Sequence, residues 1–245
     1  MIKRIFILPF LLLITAYLIV AVTVFNTKPA DQTCKGMELI INDSIDHGFI
    51  TQKEVLRLLN SKKLSPIGKK MGDINTRLLE DELSKHPLIE NVECYRTPGR
   101  KIGIEVTQRL PLLRVMAANG DNYYIDSKGK VMPIPNSSAH VAVVTGSVDR
   151  DFATKELYKL GIFLQNHPLW EAQIEQINVT PAKELELVPR VGEHIIFLGK
   201  PGDYEEKFER LKIFYKKGLN QVGWNKYSRI SLEFSNQIIC TKKEK

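Results

Sequence analysis

The sequence predicts an α+β protein that has a single N-terminal transmembrane helix followed by two folded parts. Three observations support this class. The run from Ile5 to Phe25 carries no charge, strand and helix patterns alternate over residues 37–107, and mostly strand patterns follow to the C-terminus. A chain of 245 residues has room for one large or two small domains, and 43% hydrophobic residues suffice to bury a core.

The apolar run over residues 5–25 is the sharpest feature of the sequence. As a helix it would be about 31 Å long, close to the ~30 Å hydrocarbon core of a bilayer. A cleaved signal peptide has a shorter apolar core and a small-residue cleavage site, and Thr23–Asn26 offers none. Lys3 and Arg4 precede the run, so the positive-inside rule predicts a cytoplasmic tail at 1–4 and an extracytoplasmic remainder.

The first folded part, residues 35–108, is predicted to contain one strand, two helices and two further strands. Thr51 and Glu54 have the spacing of a capping box, which starts the first helix. Apolar and polar residues alternate from Ile102 to Thr107, as in a half-buried strand. The predicted elements are a strand at 37–41, helices at 51–60 and 76–85, and strands at 89–95 and 102–107.

The second part, residues 109–245, is predicted to be a mixed, strand-rich domain with two helices. Asp126–Gly129 has the signature of a type I turn, and Asp203 is expected to cap the second helix. His167-Pro168 is expected to end the first helix. The predicted helices are 152–166 and 203–220, and the predicted strands are 112–116, 123–125, 131–132, 141–145, 174–179, 185–188, 194–198, 229–234 and 237–241.

No catalytic or metal-binding pattern stands out in the sequence. The five histidines lack the spacing of metal ligands, and the turn explains Asp126 without a catalytic role. The net charge of +7 is spread along the chain, which does not favour a nucleic-acid interface. The sequence therefore predicts no cofactor, no metal and no nucleic-acid partner.

The cysteines leave two alternatives open. Cys34 and Cys94 would both lie in an oxidising compartment, where a disulfide can persist. A bridge between them would close a loop of about 60 residues and contribute up to ~4 kcal/mol. Alternatively, Cys94 is a small buried hydrophobe and Cys34 is a free thiol. Cys240 is expected to be unpaired.

The whole layout resembles the bacterial cell-division family FtsQ/DivIB. Two positions depart from the family pattern, because Ser231 replaces the usual Asp and Glu233 replaces the usual Arg. The pieces that carry the resemblance occur in the family's order: Gln108–Pro111, Tyr124–Val131, Leu198–Gly199, then Tyr204, Lys207 and Leu211, and finally Ile230–Asn236.

The resemblance implies a POTRA domain at 35–108 and the family's β domain at 109–245. It further implies a non-catalytic scaffold of the divisome in the inner membrane at the septum. Its partners would be FtsB-like and FtsL-like proteins and, indirectly, the septal peptidoglycan synthase complex. An FtsB-like partner would add near the C-terminus, where a last strand can leave a free edge. The implied partner-binding residues are Arg229, Ile230, Leu232, Phe234, Gln237, Ile238 and Ile239.

Two other classes of function are alternatives to this scaffold. A membrane-anchored envelope enzyme, such as a cell-wall hydrolase or peptidase, would need titratable residues that come together in a catalytic site. The sequence shows no pattern that predicts such a site. An export or assembly factor with a POTRA domain would fit the first folded part. Against it stand the uncleaved anchor and the lack of a long transmembrane β-barrel region.

Overall fold

In the computed structural model of the chain, residues 12–20, 29–42, 48–135 and 137–244 are described. They separate into two units. The first contains residues 12–20, 29–42 and 50–107, and the second contains 48–49 and 108–244 with the gap noted above. Both units combine helices with a sheet, which confirms the predicted α+β class.

The N-terminal segment is described only in its middle. Residues 12–20 form a helix, α1, whose apolar side chains are exposed. The remainder of the predicted transmembrane helix, 5–11 and 21–25, lies outside the described residues, as does the predicted cytoplasmic tail. Within the described residues, no helix combines the length and the apolar character that crossing a bilayer requires.

The first unit has the predicted strand-helix-helix-strand-strand order. Thr51 and Glu54 form the predicted capping box, in which each residue accepts a bond from the other's backbone N–H, over 2.8 and 3.3 Å. The sheet order is β1-β3-β2, with β1 parallel to β3. The elements are β1 (Gly36–Asn42), α2 (Gln52–Ser61), α3 (Thr76–Leu83), β2 (Ile89–Arg96) and β3 (Lys101–Gln108).

Both helices of the first unit pack their apolar side chains onto one core. Val55 and Leu59 of α2 and Leu79 and Leu83 of α3 are spaced four residues apart, so each pair lies on one helix face. Burying such side chains against the inner face of β3 is the main stabilising term for this small domain.

Of the two alternatives for Cys34 and Cys94, the structure shows free thiols and not the bridge. Both residues are buried free thiols, and Cys240 is free as well. Cys34 leads into β1 and Cys94 lies in β2, and β3 runs between these two strands. Two strand spacings amount to roughly 9.6 Å, beyond the ~6.8 Å between Cα atoms that a disulfide tolerates. Burial also raises the pKa of the Cys94 thiol to about 12, which leaves it unreactive.

The second unit is built on one nine-stranded mixed sheet. The strand order is β12-β11-β10-β9-β8-β7-β4-β5-β6, so β12 and β6 are the outer strands. Its strands are β4 (Pro111–Ala117), β5 (Asn122–Asp126), β6 (Val131–Met132), β7 (Val143–Gly146), β8 (Ile174–Val179), β9 (Leu185–Pro189), β10 (Ile195–Gly199), β11 (Tyr227–Ser231) and β12 (Ile239–Lys242).

In the described part of the second unit, three helical segments pack against this sheet, one more than the sequence predicted. The first runs through α4 (Arg150–Phe152), a π-helical turn and α5 (Tyr158–Gln165). The unpredicted one is α6 (Pro168–Gln173). The last runs through α7 (Tyr204–Phe214), a second π-helical turn and α8 (Asn220–Val222).

Asp203 precedes α7 as predicted, but its side chain makes no capping bond. The residue has a left-handed backbone conformation, with φ at 52°. This geometry does not aim the carboxylate at the first N–H groups of the helix, because a side-chain cap needs an extended backbone. The predicted cap is therefore wrong in mechanism although the helix starts at the expected place.

Asp126 and Arg109 form an ion pair near the start of the second unit. The Arg109 guanidinium lies 2.7 Å from Asp126 Oδ2, and both side chains are largely buried. Asp126 Oδ1 accepts bonds from the backbone N–H groups of Lys128, at 3.0 Å, and Lys130, at 2.7 Å. All of these contacts hold the hairpin of β5 and β6 to the chain that enters the sheet, which is a structural role.

Candidate functional site

The candidate site is the outer edge of the nine-stranded sheet at β12. β12 pairs with β11 in antiparallel register, from Tyr227 opposite Lys242 to Ser231 opposite Ile239. Among the described residues, no strand pairs with the other side of β12. That side presents backbone donors and acceptors that a further strand can satisfy.

The direction of the free backbone groups follows from the pairing. The N–H of Lys243 donates to the carbonyl of Lys226, towards β11. Backbone groups of alternate residues point to opposite sides of a strand. Thr241 therefore shares the inward direction of Lys243, and Cys240 and Lys242 direct their N–H and C=O groups to the open side.

The side chains along this edge divide between the two faces of the sheet. Ile238 and Cys240 are partly buried and pack on the core of the unit. Ile239 is 46% exposed and, because side chains alternate along a strand, projects from the opposite face. Phe234, in the turn before β12, is also 46% exposed. The edge therefore carries two exposed apolar side chains beside its open backbone groups.

Arg210 of α7 holds the segment that leads into β12. Its guanidinium donates to the carbonyl of Leu232 over 3.1 Å, to the carbonyl of Gln237 over 3.3 Å, and to the carbonyl of Phe234. Glu206, one turn earlier on α7, lies 3.7 Å from Arg210 Nε. A planar guanidinium can bind several carbonyls in a fixed geometry, so Arg210 fixes the turn over 232–237. The sequence does not predict this role, because Arg210 is one of several charged residues in the pattern of α7.

A shallow groove lies beside this clamp. It has a volume of about 440 Å³ and runs between the C-terminal half of the α7 segment and the chain before β12. Ile213, which is 49% exposed, and Phe214 supply its apolar wall, and Ile238 closes the other side. The groove extends the exposed apolar surface of the edge.

The predicted partner-binding residues occupy three different environments. Ile230 and Leu232 are fully buried core residues, so their side chains are not exposed at the edge. Phe234, Gln237 and Ile239 are exposed, and Ile238 is half-buried. Arg229 lies in β11, which has paired strands on both sides.

Arg229 makes its contacts inside the sheet. Its guanidinium donates to Glu186 over 2.8 Å and lies 4.2 Å from the centroid of the Phe197 ring. Burial alone would raise the pKa of Glu186, but hydrogen bonds from Arg229 and Asn178 hold that pKa below its usual value. Arg229 therefore joins β11 to the strands behind it, which places it in support of the edge.

Positive charge surrounds the open edge. Lys226, Lys242 and Lys243 lie at the outer end of the β11–β12 pair, and Lys216 and Lys217 lie on the π-helical turn beside the groove. Lys243 is paired with Glu193. The surroundings therefore favour a ligand with acidic groups.

In the part of the chain that the structure describes, side chains that could act in catalysis or bind a metal do not form a cluster. No group of three His, Cys, Asp or Glu side chains there could hold a metal ion. His194 is buried and bonds Tyr215 Oη at 2.9 Å, and His167 bonds the carbonyl of Phe163 at 2.7 Å. These histidines lie in the core or at a helix end.

Two family descriptions match the chain. A POTRA-like domain matches residues 32–107, and the family described as FtsQ/DivIB, C-terminal related, matches residues 110–241. Their junction falls within two residues of the boundary between the two structural units.

Three similar proteins carry the name cell division protein FtsQ. The one from Geotalea daltonii is 25% identical over 71% of this chain and 66% of its own length. The one from Rhodothermus marinus is 25% identical over 70% of this chain and 67% of its own length. The one from Myxococcus fulvus is 27% identical over 64% of this chain and 57% of its own length. The aligned parts thus span about two thirds of these relatives or less.

Proposed function

The chain belongs to the FtsQ/DivIB C-terminal-related family, and from that premise we propose that it is a non-catalytic scaffold of the bacterial division machinery. It binds FtsB-like and FtsL-like partners and, through them, helps to recruit and regulate the septal peptidoglycan synthase complex. Its named relatives are cell-division proteins. The observation that carries the proposal is the open outer side of β12.

The partner binds by adding a strand to β12. The outward N–H and C=O groups of Cys240 and Lys242 pair with the main chain of the partner, which supplies affinity without regard to side-chain identity. Strand addition suits this edge because β12 is held on its inner side by β11 and approached through a turn that Arg210 fixes. The edge is therefore preorganised, which lowers the ordering cost of binding.

Exposed side chains around the edge supply selectivity. Phe234 and Ile239 offer apolar contact, and Gln237 and Ile238 lie between them along the chain. Arg229, in contrast, supports the edge from inside the sheet. The lysines around the edge favour a partner segment that carries Asp or Glu beside its apolar residues.

The apolar run over residues 5–25 anchors the scaffold in the inner membrane. Lys3 and Arg4 keep the N-terminus in the cytoplasm, and both folded units lie in the periplasm, at the division septum. The exposed apolar side chains of α1 suit a lipid environment. The scaffold thus presents β12 on the side of the membrane where the cell wall is built.

A proline at position 242 tests strand addition directly. Proline lacks the N–H, and the N–H of Lys242 is directed to the open side, so Lys242→Pro removes a donor that only the added strand uses. We expect Lys242→Pro to weaken binding of the FtsB-like and FtsL-like pair by at least about fivefold, since an unpaired buried acceptor on the partner costs ~1–3 kcal/mol. The measurement is titration of the full chain in nanodiscs with the purified pair.

Lys242→Ala is the matched control for this experiment. It removes the same charge and side chain but keeps the N–H, so its affinity should stay within about threefold of the unsubstituted chain. Equal affinities for both variants, whether strong or weak, would contradict strand addition at this edge.

A further inference from the structure

The first unit carries a basic surface that the partner edge does not use. It surrounds a cavity of about 570 Å³, with Ala30 and Gln32 on one side and Arg96 and Arg100 on the other. Two more cations, Lys69 and Lys70, lie in the loop that borders the cavity. We call this region the basic loop surface and define it by residues 30–35, 62–72, 96 and 100.

Backbone hydrogen bonds hold the parts of this surface together. The N–H of Gly72 donates to the carbonyl of Ala30, and the N–H of Met71 donates to the carbonyl of Gln32, each over 2.8 Å. On the other side of the same segment, the N–H of Lys35 donates to the carbonyl of Arg100 over 2.8 Å. The segment 30–35 is therefore fixed between the lysine loop and the β2–β3 turn, so all of these cations share one region.

Cations outnumber carboxylates in this region. It contains one acidic residue, Asp31, and a second, Asp73, directly follows residue 72 in sequence; both are exposed. Within the described ranges, Lys62 is the one cation of this surface that lies in an ion pair with a carboxylate, at 4.0 Å from Glu82. The other cations of the surface are Lys35, Lys63, Lys69, Lys70, Arg96 and Arg100.

An exposed isoleucine stands at the tip of the same loop. Pro66–Lys69 forms a tight turn closed by the bond from the N–H of Lys69 to the carbonyl of Pro66, and Gly68 has φ at 80° as a type II turn requires. This conformation displays Ile67, which is 54% exposed, between two pairs of lysines. An apolar tip flanked by lysines is the pattern of a segment that lies in a lipid headgroup layer.

The chain length brings this surface close to the apolar run. Ala30, in the cavity wall, is only five positions along the chain from Phe25, the last residue of the run. An extended chain spans at most about 3.5 Å per residue, so Ala30 lies within roughly 17 Å of the end of the apolar run. The basic loop surface is thus tethered next to whatever holds residues 5–25.

We propose that the basic loop surface binds the headgroups of anionic phospholipids, with Ile67 inserted among them. This inference rests on the membrane anchor in the proposed function and is independent of the partner edge. Lipid contact would orient the first unit on the bilayer, and each lysine or arginine near an anionic surface contributes roughly fivefold to affinity at low salt.

Hydrogen–deuterium exchange of the full chain in nanodiscs tests the proposal. In nanodiscs that contain phosphatidylglycerol, amide exchange over residues 62–72 should slow by about fivefold or more relative to pure phosphatidylcholine. The difference should disappear in 1 M NaCl, where charge interactions are screened within about 3 Å. Exchange that is the same in both lipids, or slow in both, would overturn the proposal.

Paired charge reversals locate the contact. Lys69→Glu with Lys70→Glu should abolish the lipid-dependent slowing, whereas Ile67→Ser should reduce it with all charges kept. The control, Lys53→Glu with Arg57→Glu on the exposed face of α2, makes the same change in net charge and should keep the slowing. Loss of the slowing in the control as well would show a general charge effect and overturn the assignment to this surface.

Two further outcomes separate this inference from its premise. Recovery of the chain away from the nanodiscs would overturn the anchor and this inference together. Insertion into nanodiscs without lipid-dependent slowing would overturn the inference alone. Slowing of 62–72 by soluble peptidoglycan fragments in neutral nanodiscs, with no effect of phosphatidylglycerol, would assign the surface to another ligand and overturn it too.

Discussion

The two outer strands of the nine-stranded sheet differ in what happens to their unpaired backbone groups. At one end, β6 has two residues, and Arg109 donates to the carbonyl of Val131 over 3.0 Å. At the other end, β12 has four residues, and Arg210 binds the carbonyls of the preceding turn while the outer side of β12 stays open. Arg109 thus binds a carbonyl of the edge strand β6, whereas Arg210 fixes the turn that leads into the edge strand β12.

The comparison shows how one sheet can close one edge and leave the other open. Unpaired edge strands invite unwanted pairing, and proteins blunt them by shortening the strand or covering it with charged side chains. The β6 end shows both devices. The β12 end is instead surrounded by lysines, which discourage self-pairing between copies but admit an acidic segment.

Breaking the ion pair of Arg109 and Asp126 at the β6 end, the closed end of the sheet, should produce the largest effect on stability. Asp126→Ala leaves the Arg109 guanidinium without its buried carboxylate and frees two backbone N–H groups. We expect a loss of about 3 kcal/mol in the free energy of unfolding, as for other buried ion pairs broken on one side. Denaturant unfolding followed by tryptophan fluorescence measures it, because both tryptophans lie in the second unit.

The exposed pair of Glu193 and Lys243 provides the control for that prediction. Glu193→Ala breaks an ion pair near the open end and should cost less than about 1 kcal/mol. A loss of similar size for both variants would show that Arg109 and Asp126 do not have the special structural role assigned to them.

Removing the Arg210 side chain should reduce both partner binding and stability. Arg210→Ala frees the turn over 232–237, so β12 loses its preorganised approach. We expect about tenfold weaker binding of the partner pair and a loss of ~1–2 kcal/mol in stability. Arg210→Lys should not restore binding, because an ammonium cannot bind three carbonyls in one plane. Full rescue by lysine would contradict the clamp and indicate a simple charge effect.

The exposed apolar side chains should make a smaller contribution. Phe234→Ala or Ile239→Asp should weaken partner binding by roughly three- to tenfold, with stability changed by about 0.5 kcal/mol or less. Met116→Asp is the control, because Met116 is similarly exposed at 43% but lies on β4, six strands away from β12. The affinity of each variant is measured by titration with the partner pair. Equal losses of affinity for Met116→Asp and Ile239→Asp would show that the partner does not bind at this edge.

Lowering the pH from 7 to 5 should slightly reduce the free energy of unfolding of the second unit. His194 is buried against Tyr215 and Trp224, and this burial lowers its pKa. The unfolded chain then binds more protons than the folded one as pH falls through about 6.5, so the free energy of unfolding should decrease from pH 7 to pH 5. His194→Gln should flatten this dependence. The pKa of His86 is lowered by burial as well, but His86 belongs to the first unit, so tryptophan-detected unfolding excludes its contribution.

The local elements were largely readable from the sequence. The capping box at Thr51 and the alternation over 102–107 each predicted an element that the structure confirms. The sequence does not predict α6, because His167-Pro168 also fits the end of the preceding helix. Proline is equally favoured at the first position of a new helix, which is where Pro168 lies.

Long-range order was not readable in the same way. The distance between Cys34 and Cys94 depends on β3 lying between their strands, and sequence periodicity does not give strand order. For the same reason, Ile230 and Leu232 were grouped with the edge although they belong to the core. Arg210 was overlooked because its role depends on which carbonyls the fold brings to it.

Residue-resolved amide exchange of the full chain, with and without the partner pair, tests strand addition most directly. At saturating partner, the N–H groups of Cys240 and Lys242 should exchange at least about tenfold more slowly, while the N–H of Val131 at the closed end should be unaffected. If the partner is fully bound and the exchange of Cys240 and Lys242 does not change, β12 is not where the partner adds.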